Sequence, residues 1–552
     1  MRDYETLSAK GEIMSTVKVI VLDPVNRRRF PGEVAFSGAR ITAVREIGED
    51  DVPARYLLPG FVDAHMHIES SMLVPTEFAR IALRHGTVAS VCDPHEIANV
   101  CGVQGIDFMI QNGREAPLKF AFGVPSCVPA TPFETSGAEL DAEAVSKLLD
   151  REDIPFLGEM MNWPGVLEED PEVMAKIRAA LDRGKPVDGH APGLTGEQAA
   201  RYIGAGISTD HECASLEEAL DKLEKGMRVL IREGSAARDF DELIPALEKY
   251  PGRIMFCSDD KHPDDLQHGH INVLAARALR RGLDFWDVLE ACSVAPVRHY
   301  GLDAGLLQEG DPADFVVVAD TEKMEVEQTW IDGECVQEQG NVFFRERPVS
   351  PVNNFVPNTP APEDFRVRWD EASFPVIEAS EGSLLTGKTW VRLPSEYGEL
   401  LASLEQGINK IAVVCRYRRA DPVAGFVRGF GLRAGAIASS VAHDSHNIVA
   451  VGASDADLAR AVDLVMRHRG GIVAVLGDRE EVLPLPVAGL MSDRPGKEVS
   501  AAHERLTRMA GEMGSPLRAP HMVLSFMALL VIPSLRISDR GIFDAERFEF
   551  LT

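Results

Sequence analysis

Two histidines one residue apart close the apolar run LLPGFVDAHMH at 57–67. They are His65 and His67. In an extended strand, side chains at i and i+2 point the same way, so both imidazoles can face one cation. Four more groups of ligand type follow, each on its own short apolar run: Glu159 in PFLGEM, His190 in PVDGHA, His211 in ISTDH and Asp259 in RIMFCSDD. Four imidazoles and two carboxylates suit a pair of first-row divalent ions such as Zn, Fe or Mn. Reading them as six unrelated structural polar residues would require six coincidences. A divalent ion in such a ligand set makes hydroxide from water near neutral pH, which is the chemistry of hydrolysis.

Such residues need a frame that brings distant chain segments together. Eight short apolar runs recur from residue 57: 57–67, 88–94, 118–126, 155–160, 186–191, 207–211, 228–235 and 253–260. Helix-like text separates them, as in PTEFARIALRHG, PEVMAKIRAALDRG and SLEEALDKLEKG. Alternating strands and helices with near-continuous apolar strands predict a parallel sheet, and eight units predict an α/β fold built on a (β/α)8 TIM barrel. Barrels of this kind carry their reactive residues at the C-terminal ends of the strands, where the six groups fall. β-rich text flanks the barrel on both sides. The predicted organisation is a composite β-sandwich domain from 1–57 and 306–345, a barrel over 58–305, a Pro-rich linker over 346–365, and a C-terminal α/β domain over 366–552.

Composition narrows the partners. The 552 residues carry 57 basic and 86 acidic side chains, a net charge of −29, and 45% are hydrophobic. The apolar fraction supports packed cores, and the length suggests about three domains. The acidic balance excludes nucleic acid or an anionic membrane as the main partner. The N-terminal text has no apolar leader pattern. The longest apolar run near the C-terminus, 523–535, is broken by Pro533 and falls short of the roughly 20 residues of a membrane span, so it is expected as buried core. Eight scattered Cys without a CxxC pair read as a reduced, cytoplasmic protein. There is no GxxxxGK[ST] phosphate loop.

The motifs PGFVDAHMHIESS, DPHEIANV, GHAPGL, STDHE and CSDDKHPDD, with SSVAHDSHNIVAVG near the C-terminus, resemble the amidohydrolase superfamily and, more narrowly, its bacterial adenine deaminase family. The resemblance covers nearly the whole chain. It implies an amidohydrolase-type barrel followed by an adenine deaminase-type C-terminal domain. The implied activity is hydrolytic deamination of adenine to hypoxanthine and ammonia, a purine salvage step. Many amidohydrolases bridge two metals with a carboxylated Lys on strand 4. PFLGEMMN contains no Lys, and the family's Glu at that place maps onto Glu159. His65, His67, His190, His211 and Asp259 match the remaining ligands. The implied cofactors are two divalent ions, Mn2+ or Fe2+; the ligand set alone equally admits Zn2+. A homo-oligomer, a dimer or larger, is expected for an enzyme of this type.

Deamination at C6 needs a base for the attacking water and a proton for the ring. Asp259 is the expected general base. Glu212, beside His211, is the candidate proton shuttle; the alternative is a loop anchor. His95 and Glu96 follow strand 2 beside Asp93 and could touch the purine, support the ligands or hold an additional ion. Ser70 and Ser71 fit loop capping or substrate binding. Asp260, Lys261 and His262 are candidates to hydrogen-bond the base, the alternative being an exposed loop, and Asp264 and Asp265 fit the cap of the next helix. His443, Asp444 and His446 would cover the barrel mouth or complete the substrate site, unless they form an internal turn or a subunit contact. The other histidines (85, 268, 270, 299, 468, 503 and 521) are expected to be structural or solvated. Two other readings compete: a hydrolase of cyclic amides or N-acetyl sugars on the same scaffold, and a barrel that has lost catalysis. The second would be expected to have lost ligands, and all six are present.

Overall fold

The short apolar runs are buried on both faces, as strands between a barrel interior and a helical shell must be. The computed structural model describes residues 6–7, 13–48, 52–235, 237–345, 347–381, 383 and 385–551. The first five residues and 8–12, part of the segment read as lacking a leader, lie outside the described residues. Barrel strands 1 to 8 are Phe61–Met66, Thr87–Cys92, Lys119–Phe122, Leu157–Met160, Val187–Gly189, Thr209–Asp210, Arg228–Arg232 and Ile254–Cys257. Each of the eight expected runs overlaps one of them, strand 2 starting one residue early at Thr87. Strands 1–2–3, 4–5 and 6–7–8 pair in parallel. Single contacts close the seams. Val124 bridges Leu157 in parallel, Ser208 N donates to Val187 O at 2.9 Å, and Asp259 N donates to His65 O at 3.0 Å. The last contact joins strand 8 to strand 1 and completes a ring.

The helices between strands start where the sequence supplies caps. Asp170 accepts from the backbone of Glu172 and Val173 to open Pro171–Leu181. Ser215 accepts from Glu218 to open Leu216–Glu224. Each cap satisfies backbone donors that the first turn leaves without partners.

The flanking β segments join into one hydrogen-bonded sheet of nine strands rather than two separate layers. Its N-terminal part reaches Pro59, because Tyr56–Pro59 pairs antiparallel with Phe315–Val318; barrel strand 1 starts only after Gly60. The sheet curls on itself. Phe36 and Phe315 lie three strand positions apart, about 14 Å in a flat sheet, yet their rings meet at 5.8 Å. Backbone bonds between Ile41 and residues 310–311 tie the curl. The inner face so made has the alternating apolar pattern of a sandwich.

The C-terminal unit is an eight-stranded, mostly antiparallel sheet. It includes the expected strands Ile408–Val414, Ile448–Gly452 and Gly471–Leu476 and carries the helix Asp455–His468. Helices Gly496–Glu512 and Pro520–Phe526 turn toward the barrel. Gly496 N donates to Glu77 at 3.0 Å, and Ser500 Oγ donates to Pro263 O at 3.0 Å. The segment expected as a linker is instead packed down. Phe355 and Phe365 are buried in the C-terminal core, Arg416 stacks on Phe355 at 4.8 Å, and Asn354 donates to Val100 O and Gly137 O of the barrel. Its prolines stiffen a strap whose aromatic side chains have cores to enter.

Candidate active site

The ends of strands 1, 4, 5, 6 and 8 converge on Glu159. Its Oε2 lies 2.9 Å from His211 Nε2, 3.2 Å from His190 Nδ1 and 3.6 Å from His65 Nε2. Its Oε1 lies 3.5 Å from His95 Nδ1 and 3.9 Å from His67 Nε2. Asp259 Oδ1 stands 3.3 Å from His67 Nε2 and 3.8 Å from His65 Nε2. One carboxylate thus faces two groups of imidazoles with different oxygens, the arrangement a bridging ligand needs. Burial raises the Glu159 carboxyl, but the charges of His190 and His211 outweigh it and hold the group well below the usual carboxylate range.

The donor geometry fits divalent ions. Ligand atoms about 2.1 Å from a tetrahedral ion lie about 3.4 Å from one another. His65 and His67 present their Nε2 atoms to each other at 3.0 Å. His67 donates Nδ1–H to Asp93 O at 3.0 Å, which leaves the Nε2 lone pair free for an ion. Burial is the largest influence on His65 and drives it well below its ordinary value, so the ring is neutral and competent as a ligand. The groups His65–Glu159–His211 and His65–His67–Asp259 each gather three ligand atoms within 4.8 Å.

A further layer of buried carboxylates fastens the strand ends. Asp63 accepts from Ser258 N at 3.0 Å and pairs with His270 Nε2 at 2.8 Å, locking strand 1 to strand 8. Asp93 accepts from Glu159 N at 2.8 Å. Asp210 accepts from Ala191 N and from the buried Lys222 ammonium. His190 N donates to Tyr202 Oη, which itself donates to Met160 O.

The barrel and the C-terminal unit have clear relatives. Residues 56–336 match the amidohydrolase family, and residues 383–549 match the adenine deaminase C-terminal domain. A protein named adenine deaminase from Salinibacter ruber is 57% identical over 504 residues, 91% of this chain and 92% of that one. Another of that name from Methanosarcina barkeri is 50% identical over 548 residues, 98% and 99% of the two chains. The chain belongs to the adenine deaminase family of amidohydrolases. In this member the pocket above the ligands is built by two domains. His67, His95, Glu96, Glu159, Glu212, Asp259 and Asp260 belong to its barrel side, with His443 and Asp444 opposite. Phe526, Leu529, Val531 and Ile532 form an apolar wall from the segment expected only as core. Among the described residues no helix is long and apolar enough to cross a membrane.

The structure sorts the remaining candidates of this family member. Glu96 is clasped by His443 Nδ1 and His446 Nε2. The three residues therefore join barrel to C-terminal domain, with His446 behind the pocket wall. Burial raises Glu96, but His443, His446 and His95 together hold it well below the ordinary range. His95 Nε2 lies 3.6 Å from Asp444 Oδ1. Ser70 donates to Asp260 at 2.5 Å, and Ser71 closes its own turn on Ile68 O. Lys261 and His262 do not reach the pocket. Asp259 has φ +51°, a left-handed turn that redirects the chain after Asp260. Lys261 then donates to Glu233 O at 3.2 Å, and His262 packs against His503. Asp264 and Asp265 lie in the first turn of Pro263–His268 and do not cap it; the N-cap residue is His262.

Sequence reading missed Arg232, at the end of strand 7. This buried guanidinium donates to Asp259 Oδ2 at 2.9 Å, to Glu212 Oε2 at 3.0 Å and to Asp239 Oδ2 at 2.8 Å, and also meets Glu212 Oε1. Glu212 is therefore gripped at both oxygens, 3.7 Å from His211 and 3.8 Å from His190. The available signal was an Arg closing the apolar run Val229–Ile231.

Proposed function

We propose that the protein hydrolyses adenine to hypoxanthine and ammonia. The observation that carries this reading is the convergence of the strand-end ligands on Glu159 beneath an apolar wall. The polar floor supplies hydrolysis, and the wall supplies a face for a planar ring. Among the described residues lining the pocket none is Lys or Arg, which favours an uncharged base over a nucleotide.

His65, His67, Glu159, His190, His211 and Asp259 are the residues that would hold two divalent ions, Mn2+ or Fe2+ by family and Zn2+ by ligand chemistry. Bound there, such ions lower the pKa of water toward about 7. Asp259 keeps Oδ2 on Arg232 and turns Oδ1 to the centre, so Oδ1 is the acceptor for the proton of the attacking water. Glu212, oriented by Arg232, passes a proton to the ring nitrogen where charge develops. His95 faces Glu159 with Nδ1 and is the remaining proton donor on the leaving-amine side. Asp260, held by Ser70, would accept a hydrogen bond from the purine.

The test is incubation of Mn- or Fe-loaded protein with adenine, following ammonia and hypoxanthine, with adenosine, guanine and cytosine in parallel. Turnover of adenine is the expected result. Metal-loaded protein that releases no ammonia from adenine would defeat the proposal.

A further inference from the structure

A second group of imidazoles lies outside the pocket, where the barrel meets the C-terminal domain. His262 is the N-cap residue of Pro263–His268, Asp264 sits in that helix's first turn, His503 lies on Gly496–Glu512 and His521 on Pro520–Phe526. His503 and His521 are each 2% exposed. Neither ring nitrogen of His503 has a hydrogen-bond partner, and Asp264 Oδ1 has none; the His521 ring meets the backbone of Val473. Leaving a buried polar atom unpaired costs about 1–3 kcal/mol, so several in one place call for a ligand.

The geometry names one. His503 Nδ1 lies 3.2 Å from Asp264 Oδ1, without the alignment of a hydrogen bond. The His262 ring stands edge-on to His503 with centroids 4.4 Å apart. One ligand atom each from His262, Asp264 and His503 falls within 4.8 Å of the other two. Ligands of a zinc-like ion sit about 3.4 Å apart, so modest side-chain rotation closes the set. The His521 ring is the next neighbour, 6.1 Å from His503. Burial is the largest influence on His262, lowered to about 3, and on His521, well below its ordinary value. Both are neutral, the form that binds metal.

We propose that His262, Asp264 and His503 form an additional zinc-type site, with His521 at its edge, that clasps the C-terminal domain to the barrel. It is separate from the centre around Glu159, since none of the four residues lines that pocket. Its role is structural. The clasp holds the loop three residues beyond Asp259, and the helix carrying His521 continues into the apolar wall at Phe526.

The experiment compares chelator-stripped, zinc-reloaded wild-type protein with His503→Ala and Asp264→Asn by metal analysis. Each variant should hold one equivalent less than wild type, and should lose most of the thermal stabilisation that zinc returns to the stripped wild type. The result is read as a difference, so it stands whether the catalytic centre binds one ion or two. Crystals of zinc-loaded wild type give a reading that needs no variant: anomalous density is expected between His262, Asp264 and His503. Equal zinc content in wild type and folded variants, or anomalous density confined to the pocket around Glu159, would overturn the proposal.

Discussion

Arg232→Lys removes the fork that positions two carboxylates at the centre. The native guanidinium serves Asp259, Glu212 and Asp239 at once, through bonds of 2.9, 3.0 and 2.8 Å. A Lys ammonium is a compact charge without a planar fork, so it can replace only part of this network. Breaking a buried ion pair outright costs about 3–5 kcal/mol. Because the substitution keeps the charge, the loss of stability should sit near the lower end, about 3 kcal/mol. Arg232→Met keeps no charge and should fold poorly. The larger effect is on catalysis. A catalytic group displaced by about 1 Å loses about 100-fold in rate, so kcat should fall by about that factor in the Lys variant. KM should move only a few-fold, and metal content should be unchanged. Burial raises Asp259, while His67 and Arg232 hold it well below the ordinary range. Loosening the Arg232 contact lets it rise, so the acid limb of the kcat/KM profile should shift to higher pH. The assay is ammonia release between pH 5 and 9 on metal-analysed protein. A Lys variant with native kcat and an unmoved acid limb would refute the positioning role.

Glu159→Gln keeps the shape but removes the charge that five imidazoles share, so metal affinity should fall by more than the roughly 10–100-fold lost when a supporting partner is removed; full metal content at micromolar ion would contradict the bridging role. Phe526→Ala deletes the aromatic part of the pocket wall, which stacks on His443 at 4.5 Å. An aromatic contact is worth about 0.5–1.5 kcal/mol, so KM for adenine should rise up to about tenfold with kcat less affected, and steady-state kinetics decide. His85 is half-buried with Nε2 on Leu266 O at 2.9 Å, and desolvation lowers it from 6.5 to about 4. A depressed histidine contributes stability that is present above pH 6.5 and lost as pH falls toward 4, here about 3 kcal/mol. Urea midpoints measured from pH 7 to 4 should fall less steeply in His85→Asn, and parallel curves would rule out this linkage.

The convergence of polar side chains on Glu159 was legible because a barrel converts a simple sequence feature, a polar residue ending an apolar run, into a position. Arg232 obeys the same rule, closing the strand RVLIR, but Arg is not a metal ligand and so carries no such signal. Lys261 and His262 show the opposite failure. They adjoin Asp259 in sequence, yet Lys261 turns to Glu233 O and His262 packs on His503, outside the pocket. The 346–365 segment read as a linker from its prolines, yet Phe355 and Phe365 are its informative residues. The apolar wall at Phe526, Leu529, Val531 and Ile532 had no chemical signature, because residues that cover a ring and residues that fill a core look alike in sequence.

The two sides of the pocket are held by different sets of contacts. The floor is fixed by buried charge-assisted bonds, from Arg232 to two carboxylates and from Asp63, Asp93 and Asp210 to strand-end groups. Such bonds are short and directional, and breaking one leaves a charge without water. The wall packs apolar side chains, with Met522, Phe526, Leu529 and Ile532 forming a small cluster of their own, and its backbone is tied from behind by the buried Arg536, which donates to Phe526 O and Ile532 O at 2.7 Å. The wall's side chains can repack without stranding a polar group, whereas moving its backbone would take carbonyls away from a buried guanidinium. Between floor and wall stands Glu96, tied to His443 and His446 of the other domain. Docking the C-terminal domain and completing the pocket are therefore one event: the contact that joins the domains also brings His443 and Asp444 to the pocket mouth.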